Sequence, residues 1–391
     1  MQHLKQRLDM DAVVRAVRGC LPESSKPYDL HEPTFSGNEW TYVKECLDTG
    51  WVSTAGRFVG VFEEQLAEYT GVSRAFSVVN GTAALHIALK MVGVEMNDEV
   101  LVPDLTFVAT ANAVSYCGAI PHFVDSEKGT LGVSPSALRA YLADICEKTK
   151  EGARNKRTRR RIRALIAMHT FGHPVDLEPL QKLCQEYGIE LVEDAAESLG
   201  SFYKGKHTGH WGRVAVLSFN GNKILTTGGG GAILTNDEDL GTRARHIATT
   251  AKVPHPWAFN HDQIGYNYRM PNLNAALGLA QLERLPEFLE RKRALAMRYK
   301  KALSGVEGVS FIDEPSFAKS NFWLNALLLD EDQKGHRDEL LEKLTKGGIK
   351  ARPVWTLMHK LPMYTDCPRM EVPVAQELEA RIVNIPSSAF L

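Results

Sequence analysis

Short apolar runs rich in β-branched residues alternate along the chain with longer stretches whose apolar residues recur at helical spacing. The longer stretches, such as Ala83–Met91 and Leu177–Tyr187, predict amphipathic helices. The short runs predict strands at Ala75–Val79, Val100–Pro103, Pro121–Val124, Ala164–Met168, Glu190–Val192, Val214–Phe219 and Ala232–Leu234. This alternation favours an α/β fold with a mostly parallel sheet, in which ligands bind beyond the carboxyl ends of the strands.

The later part of the chain has a different pattern. A long helical stretch rich in Ala, Leu, Glu and Arg runs over about Asn272–Leu303 and is expected to bridge two domains. After it, a strand-like run (Phe322–Leu328) and a helix (Arg337–Lys346) predict a smaller α+β domain. We therefore predict three parts within the 391 residues, namely a helical extension (1–28), a large domain (29–283) and a small C-terminal domain (284–391).

Composition excludes several classes of protein. Hydrophobic residues make up 44% and charged residues 24% of the chain, and its net charge of -1 favours neither nucleic acid nor an anionic membrane as a partner. No apolar run approaches the roughly 18 residues that a membrane helix needs. The first residues lack the apolar core of a signal peptide. The six cysteines lie far apart without a CxxC pair, which predicts free thiols in a reducing cytoplasm and no metal site.

The basic run Arg154–Arg163 contains seven Lys or Arg residues in ten positions. A nucleic-acid surface is one interpretation, but no aromatic residues interleave the run and a buried strand follows it. We therefore expect a solvated loop there.

The first candidate for chemistry follows the predicted strand Val214–Phe219. Ser218 is followed five residues later by Lys223, and then by a run of four glycines. A lysine that forms a Schiff base must be partly deprotonated, which requires desolvation, and glycines allow backbone to approach a flat ring or a phosphate closely. The alternative is a surface lysine beside a glycine-rich hairpin.

Two other strand ends carry polar groups. Asp194 ends an apolar strand, where its carboxylate could hold the pyridine nitrogen of pyridoxal phosphate (PLP) protonated, or could cap a helix. The Asn80-Gly81-Thr82 turn opens a helix whose free N–H groups would suit a phosphate. The chain has neither a Walker P-loop nor a dinucleotide fingerprint at these glycines.

Two segments contain aromatic residues next to turns. Phe107 follows a strand end and could stack on a cofactor ring or belong to the core. The turn that precedes the long helix contains Asn267 and Arg269, which could reach a phosphate or a substrate, or could cap the helix.

Taken in order, these segments resemble the DegT/StrS-type sugar aminotransferases, which are PLP enzymes. The resemblance extends from about Thr34 to Leu391 and includes the sequences GWVSTAGRFVGVFEEQLAEYTG, VVNGTAALHIAL, PDLTFVATANAV, HTFG, VEDAAESLGS, LSFNGNKILTTGGGGAILT, GYNYRMPNLNAALGLAQLE, ARPVWTLMHKLPMY and VNIPSS. It implies the type I PLP aminotransferase fold, with a mostly parallel seven-stranded sheet in the large domain and a smaller C-terminal α+β domain. Within the family the chain resembles the LegC-like branch, which aminates UDP-linked 4-keto-6-deoxy acetamido sugars for nonulosonic acid synthesis.

The resemblance implies roles for individual residues. Lys223 and Asp194 match the family's catalytic residues, because Lys223 bonds to the cofactor and moves the proton while Asp194 contacts the pyridine nitrogen. Further cofactor contacts match Gly81, Thr82, Phe107, Glu197, Ser218, Asn220 and Asn267. Asn267 matches an asparagine that reaches the neighbouring subunit's cofactor, which implies a homodimer with shared active sites. Candidate substrate contacts are Arg57, His169, Arg269 and Arg352.

Three positions depart from the family pattern. Asn80 replaces a common serine, Glu197 replaces glutamine or histidine near the ring, and Gly229 replaces a common glutamate. Because Lys223 and Asp194 are unchanged, these departures bear on substrate preference more than on reaction class.

The implied reaction moves an amino group from L-glutamate to PLP and then to C4 of a nucleotide-linked 4-keto-6-deoxy sugar, for which a UDP-linked 2-acetamido sugar is expected. A GDP-linked 4-keto sugar of the perosamine type and a non-catalytic regulatory protein on the same fold remain alternatives. Lys223 argues against the related dehydratases, which carry histidine at that position. The nucleotide, the sugar stereochemistry and the pathway product stay open.

Overall fold

The computed structural model describes residues 8–150 and 152–391. Residues 1–7 of the predicted N-terminal extension lie outside the described residues. The strands are β1 (Arg74–Val78), β2 (Glu99–Pro103), β3 (Ile120–Val124), β4 (Cys146–Thr149), β5 (Gly152–Asn155), β6 (Arg161–Met168), β7 (Glu190–Asp194), β8 (Phe202–Tyr203), β9 (Lys206–His207), β10 (Val214–Ser218), β11 (Gly231–Thr235), β12 (Val309–Phe311), β13 (Ala318–Lys319), β14 (Asn325–Leu329), β15 (Arg352–Pro353) and β16 (Ile382–Ile385).

A large central sheet confirms the predicted fold class. Among the described residues it has nine strands, seven of which follow one path in the order β1-β11-β10-β7-β6-β2-β3, while the β4–β5 hairpin joins at β6. The strands from β10 to β3 along this path pair in parallel, and β11 is antiparallel to both of its neighbours. Each of the seven predicted strands coincides with a strand on this path.

The helices are α1 (Met10–Arg18), α2 (Glu39–Thr49), α3 (Arg57–Thr70), α4 (Gly81–Met91), α5 (Val108–Tyr116), α6 (Pro135–Ile145), α7 (Leu177–Tyr187), α8 (Glu238–Ala248), α9 (Asn272–Leu303), α10 (Arg337–Lys346) and α11 (Pro373–Arg381). The bounds of α7, α9 and α10 match the sequence prediction. In the described part of the chain, no helix combines the length and the apolar character needed to cross a membrane.

The long helix α9 packs against two different cores. Its first half places Ala275 and Leu279 in the same apolar cluster as Phe62 of α3. Its second half places Leu295 and Tyr299 in a cluster with α1 and with the antiparallel sheet β12-β14-β16-β15. This arrangement agrees with a bridging helix, while the predicted boundary at residues 283 and 284, which falls inside α9, stays a prediction.

The basic run does not form the single loop expected from the sequence. Its residues belong to β5, a turn and β6, and five of its seven charged side chains lie within 4 Å of an acid. Arg157 lies 2.8 Å from Asp144, and Arg161 lies 2.6 Å from Asp98. The pattern of charge was visible in the sequence, but the hairpin depends on strand pairing that joins distant residues.

Candidate active site

The carboxyl ends of β1, β7 and β10 meet at a cavity of about 360 Å³. Eight residues predicted from the sequence line this cavity. They are Gly81, Thr82, Phe107, Asp194, Glu197, Ser218, Asn220 and Lys223. Residues separated by more than a hundred positions therefore converge where the strand-end argument placed them.

One wall of the cavity is the first turn of α4. Asn80 has an extended backbone, and its side-chain oxygen accepts a hydrogen bond from the Ala83 N–H at 2.7 Å, which caps the helix. A Cβ atom on Gly81 would lie 2.9 Å from the Ser218 Cβ atom, so this close approach requires glycine. The first N–H groups of a helix have no partner inside the helix and favour an anion. Together with the Ser218 hydroxyl they could hold a phosphate.

The glycine-rich segment acts through backbone packing. A Cβ atom on Gly231 would lie 2.6 Å from the Asn80 carbonyl carbon and 2.7 Å from the Gly81 nitrogen. Glycine at the start of β11 therefore lets this strand pass directly behind the α4 turn.

Asp194 is a buried carboxylate at the end of β7. One of its oxygens accepts a hydrogen bond from the Thr110 hydroxyl at 2.8 Å, and the other accepts one from the Ala196 N–H at 3.2 Å. Burial raises the pKa of Asp194, although these hydrogen bonds and the charge of Lys223 act in the opposite direction. In the described structure turns, not a helix, directly follow Asp194, so the helix-cap interpretation does not hold. A positive group placed against this carboxylate would be strongly stabilised.

Lys223 is not a surface lysine, because only 12% of its side chain is exposed. Its Nζ atom lies 3.2 Å from Glu197 Oε1 and 3.8 Å from the centroid of the Trp323 ring. Glu197 also accepts a hydrogen bond from the Phe171 N–H at 2.9 Å. Burial raises the pKa of Glu197 to about 7, even though Lys223 lies beside it. Glu197 can therefore gain or lose a proton near neutral pH.

Aromatic rings form the remaining walls. Phe107 is 47% exposed, so it is not a core residue, and its ring centroid lies 6.3 Å from that of Trp355. Trp323 and Trp355 also line the cavity. Sequence reasoning missed both tryptophans as site residues. The only available signal was that Trp355 falls inside one of the matched segments, ARPVWTLMHKLPMY.

Several predicted residues lie outside this cavity. Asn267 and Arg269 are exposed in the segment before α9, and Arg352 is exposed on β15. Arg57 pairs with Glu45 at 2.5 Å. In a single subunit, the structure does not bring these side chains to the cavity.

His169 is also absent from the cavity wall, and it is completely buried. Its Nε2 atom lies 3.1 Å from Glu193, and its Nδ1 atom accepts a hydrogen bond from the Val175 N–H at 3.2 Å. Glu193 and Asp194 are consecutive on β7, so their side chains point to opposite faces of the sheet. His169 therefore packs on the face away from Asp194, which corrects the expectation of a substrate contact.

Comparison with known proteins identifies the family. The sequence profile of the DegT/DnrJ/EryC1/StrS aminotransferase family matches residues 33–391. The chain belongs to this family. The chain is 42% identical over 335 residues to the putative pyridoxal phosphate-dependent aminotransferase EpsN of Bacillus subtilis (strain 168). The match covers 86% of this chain and 83% of that protein.

Two further relatives extend the comparison. The aminotransferase is 39% identical over 358 residues to the GDP-perosamine synthase of Escherichia coli O157:H7, covering 92% of each chain. The crystal structure of the aminotransferase TlmJ from Streptoalloteichus hindustanus has a TM-score of 0.84 at 30% identity, covering 93% of this chain and 94% of that one. These results confirm the predicted enzyme class, fold and cofactor: the protein is a PLP-dependent sugar aminotransferase. The LegC-like assignment stays a prediction.

The groups in the cavity fit this cofactor. A buried carboxylate (Asp194) suits a protonated ring nitrogen, and the first turn of α4 with the Ser218 hydroxyl suits a phosphate. Lys223 offers an amine, and the half-exposed Phe107 offers a ring face.

Proposed function

We propose that this aminotransferase moves an amino group from L-glutamate to C4 of a nucleotide-linked 4-keto-6-deoxy sugar. The observation that carries the proposal is the single cavity in which Lys223, Asp194 and the first turn of α4 converge. Membership of the sugar aminotransferase family and similarity to a GDP-perosamine synthase support the type of acceptor.

In this proposal the chain holds the cofactor at three places. Gly81, Thr82 and Ser218 bind its phosphate, Phe107 covers one face of its ring, and Asp194 keeps the ring nitrogen protonated. Asn220, which lines the cavity next to this wall, contributes a further polar contact. When bound, pyridoxal phosphate supplies an electron sink for the negative charge that develops at the reacting carbon.

Lys223 moves the proton in both half-reactions. Its Nζ atom would take the proton from the α-carbon of the donor, which would leave as a keto acid after water supplies the carbonyl oxygen and the amino group stays with the cofactor. In the second half, the ketone oxygen of the sugar would leave as water, and Nζ would deliver a proton to C4 as the amine is completed there. Glu197, 3.2 Å away with a pKa raised to about 7, can accept or return a proton as Lys223 changes its charge.

Two different nucleotides are supported for the acceptor. The LegC-like resemblance favours a UDP-linked 2-acetamido sugar, whereas 39% identity to a GDP-perosamine synthase favours a GDP-linked sugar of the perosamine type. Both acceptors carry a diphosphate, which needs cations or N–H donors. Arg57, Arg269 and Arg352 remain the candidates for this contact.

We expect a nucleotide-linked acceptor to be used far better than the free sugar. Binding of the remote nucleotide orients the ketone, so the free sugar should lose kcat as well as affinity. The measurement compares kcat/KM for UDP-, GDP- and dTDP-linked 4-keto sugars and for free sugar, each with glutamate. Equal values for free and linked sugar would contradict the substrate class. A preference for the GDP-linked sugar would keep the class and remove the LegC-like assignment.

We further propose a homodimer with shared active sites. Asn267 is exposed and lies outside the cavity of its own subunit, so it is available to a neighbouring one. The same surface segment exposes 81% of Trp257, 77% of Phe259 and 84% of Ile264. Exposed apolar groups of this size favour burial against another surface, and two-fold dimers are the commonest homo-oligomers.

A mixing experiment tests the shared site. Lys223→Ala and Asn267→Asp are each expected to be inactive, but a mixed dimer has one site with an intact Lys223 and the partner's intact asparagine. Random exchange of equal amounts makes half of the dimers mixed, so about a quarter of wild-type activity should return. Mixing Lys223→Ala with Asp194→Ala is the control, because both lesions belong to the same subunit's half of the site and no intact site forms. A fully active monomer at micromolar concentration would exclude the dimer.

A further inference from the structure

Trp323 contacts the amine of Lys223 through the face of its ring. The tryptophan lies in the segment between β13 and β14, in the part of the chain beyond α9. The Lys223 Nζ atom lies over its ring, 3.8 Å from the centroid. An aromatic face at this distance attracts a cation, and the attraction is stronger where water is excluded.

The segment that carries Trp323 is held firmly in place. The Asn321 side chain donates hydrogen bonds to the carbonyl oxygens of Glu197 and Leu199 at 2.8 and 2.9 Å. Between these anchors and Trp323, Phe322 adopts a left-handed backbone with φ of 48°, a conformation that is costly for a residue other than glycine. The surrounding hydrogen bonds therefore maintain a chain path that the segment would not adopt by itself.

Trp323 is held at two points, one on its indole ring and one on its backbone. Its Nε1–H donates to the carbonyl oxygen of Asn222, the residue before Lys223, at 2.7 Å. Its backbone carbonyl accepts a hydrogen bond at 3.1 Å from Lys292, which also donates to the Ser387 carbonyl. Lys292 is completely buried, and burial lowers its pKa well below the ordinary value. The ring is consequently tied to the backbone that carries Lys223.

The charges around Lys223 favour an ammonium group against this ring. Glu197 lies 3.2 Å from Nζ, and Asp194 also interacts with it electrostatically. His31 faces the same region, where burial and the charges of Lys292 and Lys223 lower its pKa well below the ordinary value. His31 is therefore a neutral ring, and the two acids and the indole face act together on the amine.

We propose that Trp323 is a positioning residue whose indole face receives the Lys223 ammonium group whenever Lys223 is not bonded to the cofactor. It thereby keeps Nζ in place for the next proton transfer. This inference rests on the proposed role of Lys223. A buried aliphatic side chain could fill the same space, but it would offer no face for a cation.

The test compares Trp323→Leu, which removes the ring face, with Trp323→Phe, which keeps a face but removes the N–H donor. Trp211→Leu is the matched control, because the Trp211 ring also lies near a lysine, 5.6 Å from Lys206 Nζ, but away from the cavity. Cation–π energies convert to a loss in kcat of about 3- to 30-fold for Trp323→Leu. We expect KM for glutamate to stay within about twofold, since the contact acts on Lys223 rather than on the donor. Trp323→Phe should recover most of the lost kcat.

A second measurement does not depend on turnover. In the cofactor-free enzyme, cyanate modifies only a neutral amine, so modification of Lys223 can be followed by peptide mass spectrometry at pH 8 and pH 10. Loss of the cation–π contact should make Lys223 react about 3- to 30-fold faster at pH 8 in Trp323→Leu, with a smaller difference at pH 10. If the substitution only made Lys223 more accessible to cyanate, the modification rate would rise by the same factor at both pH values.

Each result of these two measurements either supports or overturns the positioning role of Trp323. The inference is overturned if Trp323→Leu matches wild type in kcat and cyanate reactivity, if its reactivity rises equally at both pH values, or if Trp323→Phe is no better than Trp323→Leu. Any of these results leaves the proposed function standing when Lys223→Ala remains inactive. If circular dichroism shows that Trp323→Leu does not fold, Trp323→Met replaces it in both measurements.

Discussion

Replacing Lys223 by alanine or arginine is expected to abolish transamination while the fold survives. Lys223 Nζ is the atom proposed to bond to the cofactor and to carry the proton, and a positioned proton-transfer group contributes about 10²- to 10⁴-fold by itself. Arginine keeps the positive charge but cannot give up its proton at any working pH. Since both functions are lost, we expect kcat for transamination to fall by at least about 10³-fold in either variant.

The fold should tolerate the change, because Lys223 lies on a turn at the cavity. Glu197, which loses its partner in these variants, can become neutral because its pKa is about 7. Activity is measured as glutamate-dependent amination of the sugar, and folding as thermal unfolding followed by circular dichroism. Lys346→Ala is the control, because that side chain is 78% exposed and distant from the cavity. Borohydride reduction of the wild-type enzyme should attach the cofactor to Lys223, and a label on another lysine would contradict the assignment.

Replacing Asp194 by asparagine or alanine is expected to lower kcat by at least about 100-fold, or about 2.7 kcal/mol in the barrier. Asparagine keeps the shape of the side chain, but it cannot offset the positive charge of a protonated ring nitrogen. The cofactor should still bind, because α4, Ser218, Phe107 and Lys223 are unchanged. The expected result is therefore a slow enzyme that still takes up cofactor.

The measurement pairs kcat with a titration of cofactor uptake followed by absorbance. Thr110→Val is the matched control, since it removes the 2.8 Å hydrogen bond to Asp194 but leaves the charge in place. The kcat of Thr110→Val should fall by no more than about tenfold, which is the range expected for one hydrogen bond to a charged group. Near-normal turnover in Asp194→Ala would show that this carboxylate has only a local structural role.

The sequence alone was sufficient for features with a local or a strand-end signature. The seven strands of the main sheet path and the bounds of α9 follow from apolar spacing between neighbouring residues, which is where secondary structure is encoded. Lys223 and Asp194 were identifiable because Asp194 ends a strand and Lys223 follows one, and strand ends meet at one edge of a mostly parallel sheet. The family resemblance then supplied the cofactor, which the comparisons confirm.

Only the tertiary structure decided which side chains reach the cavity. His169 follows one apolar strand and Asp194 ends the next, yet the pleat and register of the sheet turn His169 toward Glu193 and away from the cavity. Trp323 and Trp355 reach the cavity from beyond α9, and the spacing of neighbouring residues carries no signal for contacts between such distant parts of the chain. The sequence therefore determined the strands, the long helix and the two groups proposed for the chemistry. Long-range packing decided what surrounds them, because a side chain's surroundings depend on contacts that form only when distant segments meet.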